Sequence, residues 1–173
     1  VQNDWRRHMV LATTYQSGGH GRTDADMAYG RINIGVDCGA TNIRVAALHD
    51  DGRVIATLKG PGRLLQSPVD RSWAVILDAV GACFSDAGLP FIPRHCIVGI
   101  GVAGGHNETV LAEFKAKAPD FAGLAIDTDS FIHLLGAHSG QPGSIAAFGT
   151  GSIGETLMPD GERRLIGGYG FPA

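Results

Sequence analysis

Two short stretches of this chain combine glycine with hydroxyl and carboxylate side chains in a way that suits phosphate chemistry. The first is Gly35-Val36-Asp37-Cys38-Gly39-Ala40-Thr41-Asn42. A turn built on Gly39 lets backbone approach an anion, the amides around Ala40 point inward, and the Thr41 hydroxyl adds a donor. Asp37, at the end of a strand, can orient Mg2+ through waters, the coordination this ion favours. The same residue types also build an ordinary β-turn, and the motif alone does not separate the two readings. The second stretch is Phe148-Gly149-Thr150-Gly151-Ser152. It too reads as a turn between strands, and by itself a glycine-rich hairpin explains it. Two such turns in similar settings could grip one triphosphate from opposite sides, as phosphoryl transfer requires.

A third stretch, Ala125-Ile126-Asp127-Thr128-Asp129-Ser130, passes from a strand into a helix. Asp129 there sits at the carboxyl end of a parallel strand, where open α/β sheets bind ligands, and a carboxylate so placed can take a proton from an alcohol. Asp and Thr before a helix are also ordinary caps, and the residues alone favour that role. Two literal G-x-G-x-x-G matches complete the candidates. Gly149–Gly154 is followed too soon by Pro159-Asp160-Gly161 to open the helix that a dinucleotide pyrophosphate needs. Gly99–Gly104 has a helix after it and Asp127 beyond, but Gly99 and Gly101 fall within the strand rather than in the turn.

The elements that must position these residues follow from periodicity. Ile32–Val36, Ile43–Leu48 and Val54–Leu58 read as strands, with Asp37–Thr41 and then Asp50-Asp51-Gly52 turning the chain between them. Ser67-Pro68 reads as a cap and first helical residue, with Asp70 in the first turn. Trp73, Ile76, Leu77, Val80 and Phe84 then recur on one helical face until Gly88 and Pro90. Cys96–Val102 is a fourth strand, Asn107 caps a second helix that ends before Pro119, and Leu124–Ile126 is a fifth strand leading into a helix over 130–137. The order β-β-β-α-β-α-β-α is the ribonuclease-H-like α/β layout of actin-like ATPase domains, expected over residues 32–143. Ser144–Phe148, Ile153–Leu157 and the Asp160-Gly161 reversal read as the opening β-meander of a second such unit, residues 144–173. Residues 1–31 lack either period and are expected to form a loose extension, with Met27 a sensible initiator.

Composition excludes several classes. With 173 residues, 44% of them hydrophobic and 18% charged, the chain is long enough for one cored domain. A net charge of −3 gives no pull toward nucleic acid or anionic lipid. Its apolar runs fall short of a membrane helix, so neither nucleic acid nor membrane is an expected partner, and a cytoplasmic setting is expected. The three cysteines are scattered, without a CxxC pair, and read as buried thiols. The seven histidines likewise lack ligand spacing and read as structural or surface residues.

Taken together, IGVDCGATNIR resembles the first phosphate motif of the actin/hexokinase/Hsp70 superfamily, and AFGTGS the second. The run from DTDSFIHLLGAHSGQPGSIAAFGTGS through LMPDGERRLIGGYGFP is similar to the N-acetylglucosamine and glucosamine kinases, which share a family with benzoyl-CoA reductase activase-type ATPases. The resemblance spans roughly residues 32–172. It implies an ATP- and Mg2+-dependent kinase acting on the 6-hydroxyl of an amino sugar, with Asp129 as base and Asp37 orienting Mg2+. Gly39, Ala40 and Thr41 would then contact phosphate on one side, and Gly149, Thr150, Gly151 and Ser152 on the other. Gly104, Gly168, Tyr169 and Gly170 would join Asp129 on the sugar side. The chain departs from the family at Arg63, where an asparagine is usual, and at Tyr169, where tryptophan is commoner. The family's following Gly-Asp-Glu-Gly-Ser segment and adenosine-holding domain are not present, so the chain reads as the first half of the enzyme, inactive in isolation. Apolar surface near Leu165–Ala173 makes self-association, at its simplest a homodimer, a further expectation. An activase needs cluster-ligating cysteines, which the scatter of Cys38, Cys83 and Cys96 does not suggest.

Overall fold

A computed structural model describes residues 31–39, 41–61, 68–103, 107–148 and 152–168. The expected extension therefore lies almost wholly outside the described residues. Among the described residues, eight strands and three α-helices follow in order: β1 (Ile32–Cys38), β2 (Asn42–His49), β3 (Val54–Pro61), α1 (Val69–Asp86), β4 (Cys96–Val102), α2 (Glu108–Ala116), β5 (Gly123–Thr128), α3 (Asp129–Ala137), β6 (Gly143–Phe148), β7 (Ser152–Leu157) and β8 (Arg163–Gly167). The first sheet has strand order β3-β2-β1-β4-β5 and the second β6-β7-β8. β1, β2 and β3 pair antiparallel, whereas β1–β4 and β4–β5 are parallel, joined by helical crossovers. This is the expected α/β layout.

Strand alternation decides what each face of the first sheet meets. Ile34, Val36 and Cys38 of β1 and Val98, Ile100 and Val102 of β4 are buried in the main core with Trp73, Ile76, Val80 and Phe84 of α1. The Trp73 indole Nε1–H donates to the Phe114 carbonyl at 3.0 Å, which locks α1 to α2. On the other face lie Gly35, Asp37, Gly99, Gly101, Ala125 and Asp127, mostly small residues. Asp37, Gly101 and Asp127 form one row across three strands. A Cβ at Gly101 would overlap the Ile132 side chain and come within 3.2 Å of the Asp129 Cα, so α3 rests directly on that row. The glycines that imitate a dinucleotide fingerprint are strand residues, and at Gly101 the missing side chain makes room for a helix.

Several local readings change. β1 runs on through Asp37 and Cys38, because both still pair with β2 and β4, so Asp37 is a strand residue rather than part of the turn. Pro68 is the N-cap of α1, not its first helical residue, and makes no side-chain cap bond; Ser67 lies outside the described residues. The α1 end is as read: Gly88 has φ +67°, its N–H reaches the Ser85 carbonyl, and Leu89 N–H reaches that of Phe84.

The β2–β3 and β7–β8 hairpins share one construction. In the first, His49 N–H bonds the Arg53 carbonyl, Gly52 N–H bonds that of His49, and Asp51 Oδ1 accepts from Arg53 N–H. In the second, Met158, Glu162, Gly161 and Asp160 repeat each bond. Gly52 (φ +82°) and Gly161 (φ +87°) supply the left-handed residue in each. The Asp-Gly signal thus produces the same hairpin in both meanders.

Candidate active site

The site grows from the N-terminus of α3. Thr128 is its N-cap: the hydroxyl accepts from Phe131 N–H at 3.1 Å and bonds the Ser130 hydroxyl. Capping, the bland role open to Asp129, therefore belongs to its neighbour. Asp129 is the first helical residue, where a carboxylate suits the positive end of the helix dipole. Its Oδ1 accepts from Ser130 N–H at 2.9 Å. Asp129 has its Cα over Gly101, the strand neighbour of Asp37. It is close enough to act electrostatically on Cys38, whose thiol is pushed strongly up by burial and then by Asp37 and Asp129.

Asp37 is only 5% exposed, yet charged groups surround it. Its cross-strand partner Arg44 donates from Nη1 to Oδ2 at 2.6 Å, and His133 Nε2 reaches the same oxygen at 3.5 Å. Burial opposes ionisation of Asp37, but hydrogen bonds and charges from His133 and Arg44 outweigh it and hold the carboxyl below its ordinary range. His133 is raised in turn, chiefly by its bond to Asp37, against burial and with help from the charges of Asp37 and Asp129. Asp129 and His133 are four residues apart, one turn of α3.

The first turn closes by a bond from Gly39 N–H to the Asn42 carbonyl at 3.0 Å. Thr41 is exposed, its hydroxyl accepting from the Asn42 amide at 2.9 Å. Ala40 lies outside the described residues, as do Gly149, Thr150, Gly151, Gly104, Tyr169 and Gly170. Ser152, at the start of β7, is exposed, and its carbonyl accepts from Gly168 N–H at 2.9 Å. Gly167 and Gly168 both have positive φ, +81° and +78°. A Cβ on Gly167 would sit 2.6 Å from the Ser152 oxygen, so this close approach requires glycine. Gly168 thereby lies against Ser152, the first described residue after the second glycine stretch. α3 packs on β1, β4 and β5 of the first sheet and on β6 and β7 of the second, so it spans the space between the strands that carry the two turns.

Among the described residues, no three His, Cys, Asp or Glu side chains converge to hold a metal by themselves. Asp37, whose Oδ2 is held by Arg44 and His133, is a carboxylate that could orient a Mg2+ held largely by waters and phosphate oxygens. Residue types and spacing pointed to Asp37, Thr41 and Ser152, whereas for Asp129 they favoured a cap and only the family resemblance implied a base. They missed Arg44, His133 and the ion cluster of Asp127, Glu155 and Arg163. The Asp129/His133 helical spacing was the available signal for His133, whose side chain is 48% exposed yet reaches Asp37.

No protein-family model matches the chain. The glucosamine kinase of Vibrio cholerae is 30% identical over 142 residues, covering 80% of this chain and 47% of that protein. The crystal structure of a candidate N-acetylglucosamine kinase from Chromobacterium violaceum superposes with TM-score 0.76 at 44% identity, covering 82% of this chain and 50% of the other. A ROK family glucokinase from Streptomyces griseus, solved with glucose and AMPPNP, shares the fold at TM-score 0.52 and 21% identity, over 77% of this chain and 46% of its own. The chain thus spans about half the length of each relative it matches, and it has the actin-like ATPase fold seen in sugar kinases.

Proposed function

We propose that this chain is the phosphate-binding half of an ATP-dependent kinase acting on the 6-hydroxyl of glucosamine or N-acetylglucosamine. The observation that carries the reading is the seat of Asp129, at the start of α3 and over the strand neighbour of Asp37. Asp129 would accept the hydroxyl proton as the phosphoryl group arrives, a contribution of about 10²–10⁴ in rate. Gly39 and Thr41 on one turn, and Ser152 with its neighbours on the other, would donate to phosphate oxygens. Mg2+ would supply charge neutralisation between the phosphates, oriented by Asp37 through water. The likeness to a glucosamine kinase and to a candidate N-acetylglucosamine kinase supports the sugar class. We further assign the chain to the branch that includes the activase-type ATPases, with a cytoplasmic setting. The activase chemistry itself is disfavoured, because Cys38, Cys83 and Cys96 are buried and none is poised to ligate a cluster.

Because the chain spans about half of each relative, adenosine contacts are assigned to residues beyond it. The 173 residues alone are then expected to transfer phosphate negligibly. The test is a coupled assay of the longest product of this reading frame with ATP, Mg2+ and, in turn, glucosamine, N-acetylglucosamine and glucose. An amino sugar should be preferred, and Asp129→Asn should lower kcat by about 10²-fold or more. Full activity in Asp129→Asn would remove the assigned base and with it the mechanism.

A further inference from the structure

Arg163, on β8, joins parts of the molecule that are far apart in sequence. Its Nη1 and Nη2 donate to the two carboxylate oxygens of Asp127, each at 3.0 Å. Nε and Nη2 donate to Glu155 Oε1 at 3.1 and 2.6 Å. The guanidinium carbon lies 3.6 Å from the centroid of the Phe131 ring. One planar cation thus holds the end of β5, the middle of β7 and the first turn of α3. Asp127 and Phe131 bracket Asp129, two residues to either side.

The Glu155 side chain is wholly buried, and its Oε2 has no hydrogen-bond partner among the described residues. A buried carboxylate in that state needs its cation. Arg163 is therefore committed to β7, and its two parallel bonds to Asp127 pass that commitment across to the first sheet. Asp127 Oδ1 also accepts from Thr128 N–H at 2.7 Å, which extends the grip to the residue that caps α3.

We infer that Arg163 is a positioning residue, which fixes Asp129 by clamping the residues on both sides of it to the second sheet. The inference rests on the proposed function for what Asp129 does, though the clamp itself does not. A displacement of the second sheet reaches the carboxylate at residue 129 through this guanidinium, so loss of the clamp would leave Asp129 present but misplaced.

The experiment uses the full chain in its longest product, with Arg163→Lys and Asp127→Asn. Arg163→Lys keeps the charge but loses the planar fork, while Asp127→Asn leaves the Arg163–Glu155 pair intact and serves if the lysine variant does not fold. Two readouts are taken: amide hydrogen exchange resolved at residues 128–133, and steady-state kinetics. The clamp predicts roughly tenfold faster exchange at the Ser130 and Phe131 amides, with α1 unchanged. It also predicts a fall in kcat of about 100-fold with KM for ATP held within about twofold. Unchanged exchange at Ser130 and Phe131 in a folded variant overturns the inference, as does uniformly faster exchange throughout both sheets. If the unsubstituted protein phosphorylates none of the sugars, the kinase reading fails while the exchange data still decide the clamp.

Discussion

Asp37 and Arg44 face each other across the β1–β2 hairpin with 2.6 Å between carboxylate and guanidinium, although Asp37 is almost wholly buried. His133 closes on the same oxygen from α3. The cluster makes ligand-free stability depend on pH in two directions. Asp37 is lowered from 3.8, so its contribution is complete above that value and is lost as pH falls through the folded one. His133 is raised from 6.5, so its contribution is complete below 6.5 and is lost as pH rises through the raised value. Denaturant midpoints measured without nucleotide or Mg2+ should therefore decline on both sides of a plateau. His133→Gln should flatten the alkaline decline and also weaken the acid limb, because His133 leads Arg44 among the groups that lower Asp37. An identical alkaline slope in the variant would remove His133 from the cluster.

Because Thr128 rather than Asp129 caps α3, the two residues should separate stability from chemistry. Thr128→Ala should cost about 1–2 kcal/mol, since a buried hydroxyl that accepts from Phe131 N–H is lost. Asp129→Asn keeps the side-chain oxygen that accepts from Ser130 N–H but loses the charge at the helix start, and should unfold within about 1 kcal/mol of the parent. Urea unfolding of both variants checks this. A large loss in Asp129→Asn would mean that the carboxylate is chiefly structural.

Gly101 is the seat of α3. In Gly101→Ala the new methyl group meets the Ile132 side chain and approaches the Asp129 backbone, so the helix must lift or Ile132 must change rotamer. A loss of about 1–3 kcal/mol is expected. Since the helix start moves, catalysis should suffer more than ATP affinity. Thermal unfolding together with kcat and nucleotide affinity measures both effects, and a neutral variant would show that α3 does not need this close contact.

At Gly167 the left-handed backbone and the nearby Ser152 carbonyl exclude a side chain together. Gly167→Ala should destabilise the β7–β8 pairing by about 1–3 kcal/mol. Faster amide exchange at Gly168, whose N–H bonds Ser152, would report it before global unfolding does. Protection of Gly168 equal to that of the parent would count against the strain argument.

Much of this molecule is written locally. The alternation in β1 to β5, the helical face of Trp73, Ile76, Val80 and Phe84, the Asn107 cap and the two Asp-Gly hairpins are short-range facts, so periodicity and turn chemistry alone determined element order and sheet class. The candidate carboxylates were visible for the same reason: each lies where a strand ends. Tertiary structure decided how those residues are used. That Asp37 extends β1 instead of turning the chain depends on pairing with two other strands. That Gly101 is a helix seat, and not a dinucleotide turn, depends on Ile132 arriving from thirty-one positions along the chain. The union of Asp127, Phe131, Glu155 and Arg163 depends on a second sheet docking against α3. Charge pairing over such separations leaves no periodic trace, because nothing in the local backbone preference of Arg163 records which carboxylates it will meet.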